Sequence, residues 1–175
     1  MTAAETQHPR VAEVARLLRE AGATGEVRVL PDSARTAAAA AAQLGVEVGA
    51  IANSLVFDAG GQPLLVLTSG AHRVDEALVA DLLGVPRIAR ATPGFVREHT
   101  GQAIGGVAPI GHPAPIGTLV DVELARHDQV WAAAGHPHTV FPTSYDELLQ
   151  LTAGTPAEVG PGPGSRPGDD EGTPR

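Results

Sequence analysis

The chain has 175 residues, 43% hydrophobic but only 3% aromatic, and a formal net charge of −8. This length fits one domain with an aliphatic core, and neither a transmembrane helix nor a signal peptide is legible, which suits a cytoplasmic protein. The absence of cysteine excludes disulfides and a cysteine nucleophile, the twelve basic residues are all arginine, so lysine chemistry is excluded too, and the acidic balance argues against a broad nucleic-acid binder, leaving room for a small local grip on a nucleic-acid end.

Val11, Val14, Leu17 and Leu18 recur at helical spacing and predict an amphipathic helix ending near Gly22. A short strand is expected over 27–30 and a second helix over 36–44, capped by Ser33 and stopped by Gly45. The runs 51–57 and 63–68, joined by Asp58-Ala59-Gly60-Gly61-Gln62, read as a β-hairpin. A helix over 74–83 ends at Gly84, a short strand follows over 87–91, and Thr92 caps a helix over 93–99 that begins on Pro93. Strands are expected over 119–122, 129–133 and 139–141. Ser144-Tyr145-Asp146-Glu147 fits a capping box before a last helix. In 155–175, ten of twenty-one residues are Pro or Gly, a composition that predicts a disordered tail. The mixture of strands and short helices without regular βαβ alternation argues for an α+β fold.

Three segments carry candidate chemistry. The first is Gly101-Gln102-Ala103-Ile104-Gly105-Gly106-Val107-Ala108-Pro109, whose glycines allow positive φ and close approach to a ligand. Backbone N–H groups freed in this way can face an anion or a developing oxyanion. On spacing alone, a tight structural turn beside a strand explains the run better. The other two are Ile51-Ala52-Asn53-Ser54-Leu55-Val56-Phe57 before it and Ala134-Gly135-His136-Pro137 after it.

Taken together and in this order, the three segments resemble the YbaK/prolyl-tRNA synthetase-associated editing domain family, over roughly residues 10–153. The resemblance implies a twisted mixed sheet, partly barrel-like and flanked by helices. It divides the chain into a flexible N-terminus (1–9), an editing domain (10–153) and the tail (154–175). It further implies hydrolysis of the ester of a mischarged tRNA, with a small amino acid on a prolyl-type tRNA, by a freestanding enzyme acting in trans. The partner is the aminoacyl-tRNA 3′ end, presented by a synthetase or an elongation factor. DNA, a membrane, a metal and a cofactor are not expected. The site residues it implies are Asn53, Gly105 and Gly106 for catalysis, with Gly101, Ile104, Pro109, Gly135, His136 and Arg73 for substrate binding.

Asn53 stands where the family carries a lysine thought to hold the aminoacyl-tRNA end. Asparagine donates and accepts hydrogen bonds but cannot neutralise a phosphate. It serves a different substrate, or marks a non-catalytic binding module on the same fold, or is structural. Arg73 supplies the missing charge if it points into the cleft; otherwise it is a surface arginine ahead of a helix. His136 and His138 form a His-x-His pair, read as a loop histidine near substrate, a general base, or, with His112, part of a metal site. Asp121 and Glu123 show no partner for acid–base work in the sequence. Trp131 and Phe57 read as core. A hydrolase for another small ester is the remaining alternative.

Overall fold

The computed structural model describes residues 8–160. Helix α1 (Pro9–Glu20) buries Val11, Val14 and Leu18, the apolar stripe legible in the sequence. Strand β1 (Arg28–Val29) leads to α2 (Ala37–Leu44). Its cap is Thr36, whose hydroxyl accepts the Ala39 N–H at 3.1 Å, and not Ser33. The helix starts at Ala37, so Ser33 lies too far upstream to reach an orphan N–H. A 3₁₀ turn (Val48–Ala50) opens into the hairpin of β2 (Ile51–Ala59) and β3 (Gln62–Ser69). The Asp58 carboxylate accepts the Gly61 N–H across the turn at 2.6 Å.

Helix α3 (Glu76–Leu83) is capped by Asp75, which accepts from the Leu78 N–H at 3.0 Å. After β4 (Ala89–Arg90), α4 (Pro93–Thr100) begins on the expected Thr92 cap. A glycine-rich loop then reaches β5 (Gly117–Asp121), a 3₁₀ helix (Val122–Arg126), β6 (Val130–Ala133) and β7 (Thr139–Thr143). Ser144 caps α5 (Tyr145–Thr152). The Glu147 carboxylate closes no return bond to Ser144; it accepts from the Thr143 hydroxyl at 2.7 Å.

The chain closes with β8 (Thr155–Ala157), which lies inside the segment expected to be a disordered tail. It pairs in parallel with β5, and Val159 beyond it is fully buried, its carbonyl accepting the Asp75 N–H at 2.7 Å. A free ladder edge on β5 and one buried valine outweigh the local composition here. The rest of that expected tail (161–175) and most of the expected flexible N-terminus (1–7) lie outside the described residues.

The sheet is mixed and open, in the order β1-β7-β6-β2-β3-β5-β8, with β4 joined to β2 off this path. One face packs Ala52, Val56, Leu65 and Leu67 against α1, α4 and α5. The other face carries Phe57, Leu64 and Val66 under α3, and Ile51, Trp131 and Val140 under α2. Trp131 and Phe57 are thus core residues, each with an arginine stacked over its ring.

Candidate functional site

Strand β2 is the axis of the site because its outer edge is shared. β6 pairs with it in parallel at Ile51 and Ala52, whereas β4 pairs with it antiparallel at Phe57 and Asp58. On the hairpin side, odd-numbered residues direct their backbone toward β3, as the bond from the Gly70 N–H to the Ile51 carbonyl shows. Even-numbered residues face the shared edge, and Ser54 falls in the interval between β6 and β4, paired with neither. The sheet therefore parts at Ser54. A cleft of about 730 Å³ opens there, walled by β2, the start of α2, the turn before α3, β6 and the glycine-rich loop.

Asn53 lines this cleft on the face opposite Ser54, cross-strand from Thr68. Its amide makes no side-chain hydrogen bond among the described residues, so both its donor and acceptor remain for a ligand. Ile104 and Gly105 come from the glycine-rich loop; Ile104 is 45% exposed and Gly105 has φ +92°. A Cβ on Gly105 would lie 3.3 Å from Arg35 Cγ. Arg73 also lines the cleft and is exposed. Of the residues picked out in the sequence, the fold thus brings Asn53, Ile104, Gly105 and Arg73 to one cleft.

The others support the wall from behind. Gly106 is buried, and a Cβ there would lie 2.6 Å from the His136 carbonyl carbon. Gly101 ends α4 beside the Arg10 guanidinium, and Gly135 packs against the backbone of Arg10 in α1. Pro109 is buried next to the loop's exit. His136 accepts the His138 N–H at its Nδ1 (3.1 Å) and lies against the rings of His8 and His138. None of these five is on the cleft wall. Among the described residues no group of three or more acidic, His or Cys side chains is arranged to hold a metal.

Two buried side chains stitch the loop. The Gln102 carboxamide accepts the Ala108 N–H at 2.6 Å and donates to the Ile110 carbonyl at 3.3 Å. Thr100 accepts the Gln102 N–H and donates to Val96. His112 donates from Nε2 to the Ala108 carbonyl at 2.8 Å when that nitrogen carries the proton, and burial holds its pKa below the usual histidine value despite that carbonyl. The Gly106 N–H is taken by the Ala103 carbonyl at 3.1 Å. The N–H groups of Ile104, Gly105 and Val107 meet no protein acceptor among the described residues, and all three residues line the cleft. Val107 is a cleft residue that sequence reasoning passed over. The wall also mixes the small Ala52, Ala132 and Ala133 with the larger Ile51, Leu55, Phe57, Trp131 and Val140.

Sequence reasoning also missed the buried polar network behind Asn53. Asp121 is fully buried. It accepts from the Thr68 hydroxyl (3.3 Å), the Ser69 N–H (3.0 Å), the Glu123 N–H (3.0 Å) and His72 Nδ1 (3.0 Å). The partner that Asp121 lacked in the sequence is thus His72, which lines the cleft. A separation of 49 positions left no local signal of this pairing.

Comparison with known proteins places the chain in a family. The model of the aminoacyl-tRNA editing domain matches residues 31–151. The Bacillus subtilis (strain 168) protein YwhH, described as uncharacterized, is 30% identical over 128 residues, 73% of this chain and 81% of YwhH. A proline–tRNA ligase of Nitratidesulfovibrio vulgaris (strain Hildenborough) is 29% identical over 134 residues; these cover 70% of this chain but only 23% of the ligase. A crystal structure described as a candidate trans-editing enzyme for prolyl-tRNA synthetase superposes with a TM-score of 0.83 at 41% identity, covering 89% of this chain and 99% of that one. No helix among the described residues is long and apolar enough to cross a membrane.

Proposed function

The chain belongs to the aminoacyl-tRNA editing domain family, and from that premise we propose that it is a trans-acting deacylase, hydrolysing the ester of a small amino acid wrongly attached to a prolyl-type tRNA. The observation that carries this reading is the meeting, in one cleft, of unpaired Ile104, Gly105 and Val107 N–H groups with an unpaired Asn53 amide. The likeness to a candidate trans-editing enzyme supports action in trans.

The chemistry asks little of a nucleophilic side chain. Water attacks the ester carbonyl, and the carbonyl oxygen becomes an oxyanion that the N–H groups of Gly105 and Val107 receive. The C–O bond to the ribose then breaks, and the ribose oxygen takes a proton as the free amino acid leaves. Preorganised donors at such an oxyanion are worth about 2.7–4 kcal/mol each. Asn53 orients the attacking water or the substrate's ribose hydroxyl. Ala52, Ala132 and Ala133 exclude larger side chains by contact, with a limit of about 1–3 kcal/mol per methylene.

A second reading, a binding module without turnover, is favoured by the neutrality of Asn53, which leaves substrate phosphates unneutralised at that position. Deacylation of alanyl-, cysteinyl- and seryl-tRNA with a proline acceptor separates the two, run on wild type, Asn53→Lys and Asn53→Ala. Turnover by wild type that falls about 10²-fold in Asn53→Ala supports the enzyme reading with Asn53 in the site. Silence in wild type with activity gained in Asn53→Lys supports the binding module.

A further inference from the structure

We infer that the turn Thr68–Arg73, pinned from beneath by Asp121, is an arginine platform that works with Arg35 to bind phosphodiester groups of the substrate's last nucleotides. The inference rests on the proposed tRNA-end reading and assigns to this chain the cation that Asn53 does not provide.

Arg35, Arg73 and Arg90 are the arginines on the cleft wall. Arg90 is occupied over the Phe57 ring, 5.9 Å from its centroid. Arg35 and Arg73 are exposed and make no ion pair among the described residues, although Asp75 and Glu76 line the same side of the cleft. The Asp75 Oδ1 is engaged by the Leu78 N–H as a helix cap. In a chain of net charge −8, two unpaired guanidinium groups at the mouth of one cleft are a local reversal of sign. In an acidic chain, unpaired cations at a cleft mouth give a phosphate a favourable place to approach. Guanidinium groups hold phosphate oxygens in bidentate fashion.

The two arginines stand on fixed backbone. Arg35 is packed against Gly105, where a Cβ would come within 3.3 Å of its side chain. Arg73 follows the segment whose Thr68 hydroxyl, Ser69 N–H and His72 ring all bond to Asp121. A second tie comes from the Ser69 hydroxyl, which donates to the Gly49 carbonyl at 2.9 Å. On the other side of Arg73, the Asp75 N–H donates to the carbonyl of buried Val159. A buried carboxylate that accepts four hydrogen bonds fixes a turn tightly, so Asp121 and His72 are positioning residues for Arg73. This spends little ordering entropy when an anion binds.

Calorimetric titration with two non-hydrolysable probes tests the platform. One probe is the ribotrinucleotide cytidine-cytidine-adenosine with alanine amide-linked at its 3′ end; the other is adenosine carrying the same amide and no phosphate. Wild type is expected to bind the trinucleotide about tenfold or more tightly than the nucleoside. Arg73→Gln removes most of that advantage and lowers the log–log salt slope by about one, with Arg35→Gln acting in the same direction. Neither change moves nucleoside affinity by more than about twofold, and Arg97→Gln, an exposed arginine off the cleft, leaves both probes unaffected. His72→Ala, which frees the turn, lowers only the trinucleotide advantage; a general loss of structure lowers both affinities. Retention of the full advantage in Arg73→Gln and Arg35→Gln overturns the platform while the tRNA-end reading stands. Failure of wild type to bind either probe overturns both.

Discussion

Gly106→Ala separates a loop that positions donors from a loop that merely turns. Gly106 does not touch the cleft, yet a Cβ there would lie 2.6 Å from the His136 carbonyl carbon and 2.7 Å from both His136 Cα and Pro137 N. All three are backbone atoms that no rotamer change can move aside. Ordinary contact begins near 3.4 Å, so the loop and the 136–137 segment must separate by roughly 0.8 Å. The residues on either side of the new methyl are Gly105 and Val107, the owners of the two N–H groups proposed to receive the oxyanion. A displacement of that size is enough to cost about 10²-fold in kcat when it misplaces groups that act on the transition state. The accompanying overpacking costs about 1–3 kcal/mol of stability. The assay is single-turnover deacylation beside urea denaturation, with Gly60→Ala as reference, since a Cβ on Gly60 meets open space at φ +66°. Gly60→Ala is expected to lose about 1 kcal/mol from backbone strain alone and to keep its kcat. A Gly106→Ala protein that is destabilised but turns over at the wild-type rate refutes the positioning argument.

Three more predictions concern the walls and the network. Asp121→Ala leaves the donors of Thr68, Ser69, Glu123 and His72 without their acceptor and is expected to destabilise the fold by about 3 kcal/mol or more, read by urea denaturation. Ala133→Val narrows the cleft and is expected to lower kcat/KM for seryl- and cysteinyl-tRNA about tenfold more than for alanyl-tRNA. Burial lowers the His112 pKa, so the unfolded chain binds more protons in the window below the ordinary value of 6.5. Stability is therefore lost as pH falls from about 6.5 toward the depressed folded value, and His112→Gln is expected to flatten that part of the pH profile.

What the sequence disclosed, and what it withheld, follows the range of the interactions involved. The stripe of Val11, Val14 and Leu18, the Thr92 cap and the turn at Gly60-Gly61 are local, and each has a physical signature within a few residues. Alternation of side chains along the strand puts Asn53 and Ser54 on opposite faces. The parting of the sheet at Ser54 was not visible, because it depends on where β6 and β4, distant in sequence, stop pairing with β2. The pairing of His72 with Asp121 and the docking of β8 on β5 are long-range in the same way. The glycines show a subtler division. Gly101, Gly105, Gly106 and Gly135 look alike in the sequence, yet only Gly105 faces the cleft, and the others permit close backbone packing behind it.

The deacylase reading is tested most directly by wild-type protein alone, mixed with alanyl-, seryl-, cysteinyl- and correctly charged prolyl-tRNA sharing one proline acceptor. The expected result is loss of at least one small mischarged amino acid far above the spontaneous rate, with prolyl-tRNA spared. Hydrolysis of none of them above background, by folded protein that still binds the aminoacyl end, contradicts it.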